Sequence, residues 1–199
     1  MSQTQYPLME GYRLFMVIVG CKPPGRFTEQ HDVFFGIAGS MQELVPDIVA
    51  FWPEAKGALH VDAWRAVTNV DGYPVSVVPA GGITAANRQQ GNHLFFLNLG
   101  GYREGEFEEL HYKMLNVAPE PSAAISAAKK TAFYKHCGFE GAVSHIDDKY
   151  GVDVDDIYPV KDIIDPFYKH RFALLIGDEP EAGLAPDPLH IGYFKLDKL

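Results

Sequence analysis

The chain has 199 residues, 47% of them apolar and 22% charged, with a formal net charge of −9. Counting Asp and Glu against Lys and Arg, the charge is −3 over residues 1–80, −5 over 81–165 and −1 over 166–199, so acid is spread and no basic stripe exists. That argues against a nucleic-acid surface, which needs clustered Lys and Arg to release counterions, and against an anionic membrane.

Residues 1–12 form a polar lead-in with no basic start. The apolar run Leu14–Val19 is six residues, too short for a signal core or a membrane span. Cys21 and Cys137 are too few for a disulfide framework and read as reduced thiols. A soluble, cytoplasmic protein is expected.

Arg13–Gly20, rich in apolar, β-branched and aromatic residues, predicts a buried strand, and Lys22-Pro23-Pro24-Gly25 ends it. His31–Ala38 predicts a second strand, antiparallel to the first. Ser40 and Glu43 have capping-box spacing, and Met41, Leu44, Val45, Ile48, Val49 and Trp52 follow at helical spacing. Pro46 inside the first turns predicts a kink or a late start. Leu59–Trp64 and Tyr73–Val78 read as two more strands around a turn at Asp71-Gly72. The glycine-rich stretch 80–92 reads as a linker, so 13–79 forms a first unit.

The second unit, 93–165, is predicted to repeat the order. His93–Gly100 and Leu110–Ala118 are strands. Pro121 opens a helix with Ile125, Ala128, Ala132 and Phe133 on its apolar stripe, ending near Gly138. Val143–Asp147 and Ile157–Ile164 complete it. In 166–199, Phe172–Ile176 and Leu189–Leu196 predict a C-terminal hairpin packed on the second unit and covering a sheet edge. The fold class expected is α+β: two tandem strand-strand-helix-strand-strand units related by internal duplication, mostly antiparallel, plus that hairpin.

The duplication rests on a count. Arg13–Ser40 laid over His93–Glu120 matches at Leu14/Leu94, Phe15/Phe95, Gly20/Gly100, Gly25/Gly105, Phe27/Phe107, Glu29/Glu109, His31/His111 and Ala38/Ala118. Eight matches in these 28 positions exceed the roughly two expected of average composition. A second block, five residues further out of step, pairs His60/His145, Asp62/Asp147, Val67/Val152, Asp71/Asp156, Tyr73/Tyr158, Pro74/Pro159 and Val75/Val160.

Several of these residues also carry a family resemblance. Gly20, Gly25, Glu29, His31, Asp32, Val33, Phe35, His60, Asp62, Trp64, Val70, Asp71, Gly72 and Tyr73 make a pattern that resembles a bacterial family of domains of unknown function, family fifteen forty-three, here in duplicated form. Gly100-Gly101-Tyr102, Glu106-Phe107 and Glu109-Leu110-His111 look like its second stretch. The resemblance spans roughly 13–161 and implies no established activity.

The candidate chemistry is doubled too. Residues two apart on a strand share a face, about 7 Å apart. Glu29 with His31 and His60 with Asp62 therefore form one polar cluster if their strands are neighbours, and Glu109, His111, His145 and Asp147 form another. A divalent metal such as Zn, Mn, Fe or Ni is the cofactor such a set could hold, and no other cofactor is predicted. The competing reading, a His satisfied by one carboxylate, is ranked about two to one ahead. Trp64, Tyr73 and Tyr158 are candidate pocket aromatics, although packing roles are commoner for such residues. Lys22 and Arg26 could hold an anion, but no phosphate-loop pattern follows. Neither Cys sits in a motif and no nucleophile elbow exists, so covalent catalysis has little support. The reading ranked first is a non-catalytic module binding a small molecule or protein in a cleft between the repeats. A metal-dependent enzyme and an assembly protein that pairs through a sheet edge, for instance as a homodimer, are the alternatives.

Overall fold

The computed structural model describes residues 11–82, 91–102, 105–131 and 152–199. Contacts divide the chain into two compact units, Met1–Gln89 with Ile164–Leu199, and Gln90–Ile163. The fold is α+β, and every strand pairing among the described residues is antiparallel.

In the first unit β1 (Arg13–Cys21) pairs with β2 (Gln30–Ala38) from Arg13↔Ala38 to Cys21↔Gln30. β1 is an almost unbroken apolar run because both its faces are covered: Leu14, Val17 and Val19 are all fully buried. A 3-10 turn at Gln42–Leu44 runs into α1 (Val45–Phe51). Glu43 accepts hydrogen bonds from the Gly39 amide (3.1 Å) and the Ser40 hydroxyl (3.4 Å). Pro46 still delays the regular helix, since its ring fits only a first turn. Leu44 packs over Gly36, across from Phe15, so this helical segment covers the Phe15 face of the sheet.

β3 (His60–Val67) pairs with the other side of β1. At the expected Asp71-Gly72 turn, β5 (Tyr73–Pro79) pairs not with β3 but with a separate two-residue strand, β4 (Asn69–Val70). Asp71 and Gly72 carry φ of 56° and 85°, the double left-handed geometry of a tight two-residue turn.

The second unit is a three-stranded sheet in the order β7-β6-β8, built from β6 (His93–Tyr102), β7 (Glu109–Ala118) and β8 (Val152–Pro159). α2 (Pro121–Ala128) lies on it, with Ala124 and Ala128 fully buried against Phe95, Leu97 and Leu99. Alanines allow that close approach. We expect Ala124→Leu to lower stability by about 1–3 kcal/mol through overpacking, read as a lower thermal midpoint. The predicted continuation of this helix from Ala132 and the predicted strand Val143–Asp147 lie outside the described residues.

The predicted strand Ile157–Ile164 is corrected: β8 stops at Pro159 and a helical turn α3 (Val160–Ile163) follows. The second alignment block fails with it. Val67 ends β3 opposite Leu14, whereas Val152 begins β8 opposite Gly101. Tyr73 opens a hairpin opposite Val70, whereas Tyr158 lies near the end of the outer strand β8, opposite Phe96. Short turn-like strings such as Asp-x-Tyr-Pro recur without a shared place in the fold.

The C-terminal stretch is corrected as well. α4 (Pro166–Arg171) is capped by Asp165, which accepts from the Phe167 amide at 2.7 Å. Tyr168 on it is buried and donates to Asp47; burial first, then that carboxylate, pushes its phenol far up. β9 (Phe172–Ile176) then pairs with β5, and β10 (His190–Lys195) pairs with β3. The two do not pair with each other, and both complete the first unit, not the second. The cause is edge satisfaction: β3 and β5 each have an open side whose amides and carbonyls need partners.

Candidate metal centre

The first predicted cluster is assembled on the first sheet. β1 runs between β2 and β3, and Gly20 is paired with His31 on one side and His60 on the other. Paired residues share a face, so both imidazoles stand over Gly20. Glu29 precedes β2, and Asp62 is two residues past His60. The side chains close a ring: His60 Nε2 is 3.1 Å from Glu29 Oε1 and 3.2 Å from Asp62 Oδ1. His31 Nε2 is 3.3 Å from Asp62 Oδ2 and 3.7 Å from Glu29 Oε2.

Two local devices bring these groups together. Gly20 has no side chain, and a Cβ there would stand 2.5 Å from both Asp62 Oδ2 and His60 Nε2. The β1–β3 register also shifts between Ile18 and Val19, leaving Asp62 without a partner across the ladder. Such a bulge re-aims the extra residue, here a carboxylate turned over the glycine.

The ring is not a set of satisfied hydrogen bonds. Among the described residues, His60 Nε2 and Asp62 Oδ2 are buried and make no hydrogen bond. The His60 side chain is 8% exposed, whereas those of His31 and Glu29 are 41% and 46% exposed. The cluster therefore has a buried floor and a solvent-facing mouth. The Tyr193 ring lies 4.4 Å from the His60 ring, so β10 walls one side. Behind the cluster the Cys21 thiol is buried, and burial followed by the Glu29 charge pushes it up, which keeps it protonated.

Of the predicted aromatics, none joins this cluster. Trp64 is opposite Val17, on the Phe15 face and away from Gly20; it stacks on His190 with 3.7 Å between ring centroids. Tyr73 belongs to the β4–β5 hairpin. Tyr158 is in the second unit, where its hydroxyl donates to Asp156 at 3.0 Å. Burial contributes least to the upward push on that phenol, and the Asp156 hydrogen bond most.

In the second unit Glu109 and His111 meet as predicted, but the described partner is Asp155, while His145 and Asp147 lie outside the described residues. His111 Nδ1 is 3.3 Å from Asp155 Oδ2, and its Nε2 is 3.8 Å from Glu109 Oε2. The placement parallels the first cluster. Gly100 is paired with His111 and with Asp153, the β6–β8 register shifts between Asn98 and Leu99, and Asp155 is the residue left over. A Cβ on Gly100 would collide with the Asp155 carboxylate. Sequence reasoning missed Asp155, although Asp153-Val154-Asp155 has the same x-Val-Asp form as His60-Val61-Asp62. It also missed Tyr193, which carried no signal because it lies 133 positions from His60 in the chain.

The first cluster lies wholly inside a recognisable segment. Residues 26–77 match the family model of Domain of Unknown Function DUF1543. This is the family that the motifs resemble. The matched segment holds Glu29, His31, His60 and Asp62 together. A crystal structure of a protein Il1583 from Idiomarina loihiensis is similar to the chain, with a TM-score of 0.57 and 21% identity. The match covers 93% of this chain and 98% of that one, a likeness of fold. No curated protein matches the chain. No helix among the described residues is long and apolar enough to cross a membrane.

Proposed function

We propose that the segment matched by the DUF1543 model holds a divalent first-row transition metal on Glu29, His31, His60 and Asp62, and that the site serves metal-dependent catalysis. The observation that carries this reading is the buried His60 Nε2, which faces two carboxylates at 3.1 and 3.2 Å and hydrogen-bonds to neither. A cation bound about 2.1 Å from each donor would set neighbouring donors about 3 to 3.5 Å apart. The four contacts around the ring run from 3.1 to 3.7 Å, with each carboxylate meeting the two imidazoles through different oxygens. A structural His would be satisfied by one carboxylate, so this geometry supports the metal over the pairing that ranks first on sequence alone.

Two imidazoles with two carboxylates suit Zn, Mn, Fe or Ni. The exposed mouth favours a site that keeps a position for water or a substrate oxygen, as catalytic sites do, where structural sites are closed. The ion would act there as a Lewis acid. Glu29 and His31 are placed to meet substrate from solvent, and Tyr193 supplies a flat wall beside His60.

The test is elemental analysis of protein purified without a polyhistidine tag. We expect near-stoichiometric Zn, Mn, Fe or Ni, lost in His60→Ala and in His31→Ala with an affinity drop of more than about 100-fold. Wild-type protein that neither retains nor takes up these metals, with His60→Ala merely less stable, would leave only the structural reading.

A further inference from the structure

We infer that the second unit carries its own cation site, formed by Glu109, His111 and Asp155, and that this site favours a hard divalent ion of the Mn2+ type. Each of the three groups offers one ligand atom, and those atoms lie within 4.8 Å of one another. The elements that place them are those of the first cluster: a glycine on the central strand, a histidine paired with it, a carboxylate two residues before that histidine, and a bulged aspartate on the other neighbour. Two sheets with one register thus converge nitrogen and oxygen donors over the same kind of glycine.

The two donor sets differ in one respect that sets the ion. At the register position of His60 the second unit has Asp153. Its described donors are therefore one imidazole and two carboxylates, an oxygen-dominated set that suits Mn2+ or Mg2+ over the imidazole-rich preference of Zn2+. The surroundings change in the same direction. Where the first unit has Ile18, the second has Asn98, whose amide nitrogen is 3.5 Å from both His111 Nδ1 and Asp156 Oδ2. That contact falls on the same His111 nitrogen that faces Asp155, so Asn98 adds a polar group beside the donors and steadies the ring. Tyr102 hydrogen-bonds Glu109 and serves the same purpose for the carboxylate. The side chains of His111 and Asp155 are 40% and 29% exposed, so an ion has a path from solvent and keeps bound water.

This inference does not depend on the first site being a metal centre, and the experiment separates them. The full chain is stripped with chelator and titrated with Mn2+, and the free ion is followed by its electron paramagnetic resonance signal. We expect two bound Mn2+ per wild-type chain. His111→Ala and Asp155→Asn should each remove one, with at least a tenfold loss at that site, and leave the ion that His60→Ala removes. Both substitutions are at partly exposed positions, and circular dichroism checks that the sheet persists. Wild-type uptake unchanged by both substitutions would overturn the second site, whatever His60→Ala does. If His60→Ala has no effect while His111→Ala still abolishes one uptake, the second site stands and the first falls.

Discussion

Gly20→Ala is expected to empty the first metal site while leaving the sheet folded. The added methyl carbon would stand 2.5 Å from Asp62 Oδ2 and 2.5 Å from His60 Nε2, far inside contact distance. Both atoms are at the ends of side chains that can swing aside, so the conflict is relieved by moving the donors and not by breaking the β1 ladder. Gly20 is not among the residues with positive φ, so alanine suits its backbone and even limits the unfolded chain slightly. Metal affinity should fall by more than about 100-fold, because two of four donors leave the coordination sphere. The thermal midpoint of metal-free protein should stay within a few degrees of wild type. Gly81→Ala, at a residue with nothing within 4 Å of the added carbon, is the matched control and should keep its metal. Full metal retention in Gly20→Ala would mean that the donors do not meet over this glycine.

Much of the first unit was legible because its signals are local. Apolar, β-branched strand runs, a proline-broken loop, Pro46 in the first helical turn and an Asp-Gly turn each act over a few residues, and β1, β2, the late-starting α1 and the β4–β5 turn follow from them, whereas the expected Ser40 cap does not form and the helical segment starts at Met41 without a side-chain cap. The grouping of Glu29-x-His31 with His60-x-Asp62 was only half readable: strand period suggests that each pair shares a face, but their strands are not neighbours, and the histidines meet because each is paired with Gly20 on the β1 that runs between them. What sequence could not give was long-range. The bulges at Asp62 and Asp155 leave no mark in composition. They appear only once the β1 and β6 registers are known, and the second is where Asp155 takes the position expected of Asp147. The mistaken alignment at Tyr73 and Tyr158 has the same root, since a turn string is cheap to repeat by chance whereas a register is not. The destination of the last strands was hidden for a different reason. Phe172–Ile176 and Leu189–Leu196 read as a hairpin, and only the open sides of β3 and β5 show why they part to two separate edges.

Asp187→Ala should give the largest loss of stability, and it should be confined to the first unit. Asp187 is buried in the segment leading into β10, and one carboxylate there gathers several donors from the β3–β4 junction. It accepts from the Thr68 amide at 3.0 and 3.1 Å, the Thr68 hydroxyl at 2.6 Å and the Asn69 amide at 3.2 Å. Asn69 returns the contact, with its side-chain amide donating to Ala185 O at 3.0 Å. Truncation removes the acceptor and leaves two main-chain amides without it. For charge-assisted bonds in a buried place, the expected cost is about 3 kcal/mol. Asp187→Asn keeps one acceptor oxygen and should cost about 1 kcal/mol. The loss should also be visible locally: hydrogen exchange should quicken in β3 on the side paired with β10, at residues 61–64, and not in β6 or β7. Because Tyr193 rests on His60 through the same strand, Asp187→Ala should weaken metal binding as well, whereas Ala124→Leu in the second unit should not. A wild-type melting curve for Asp187→Ala, or protection lost first from β6 and β7, would contradict the attachment of the C-terminal strands to the first unit.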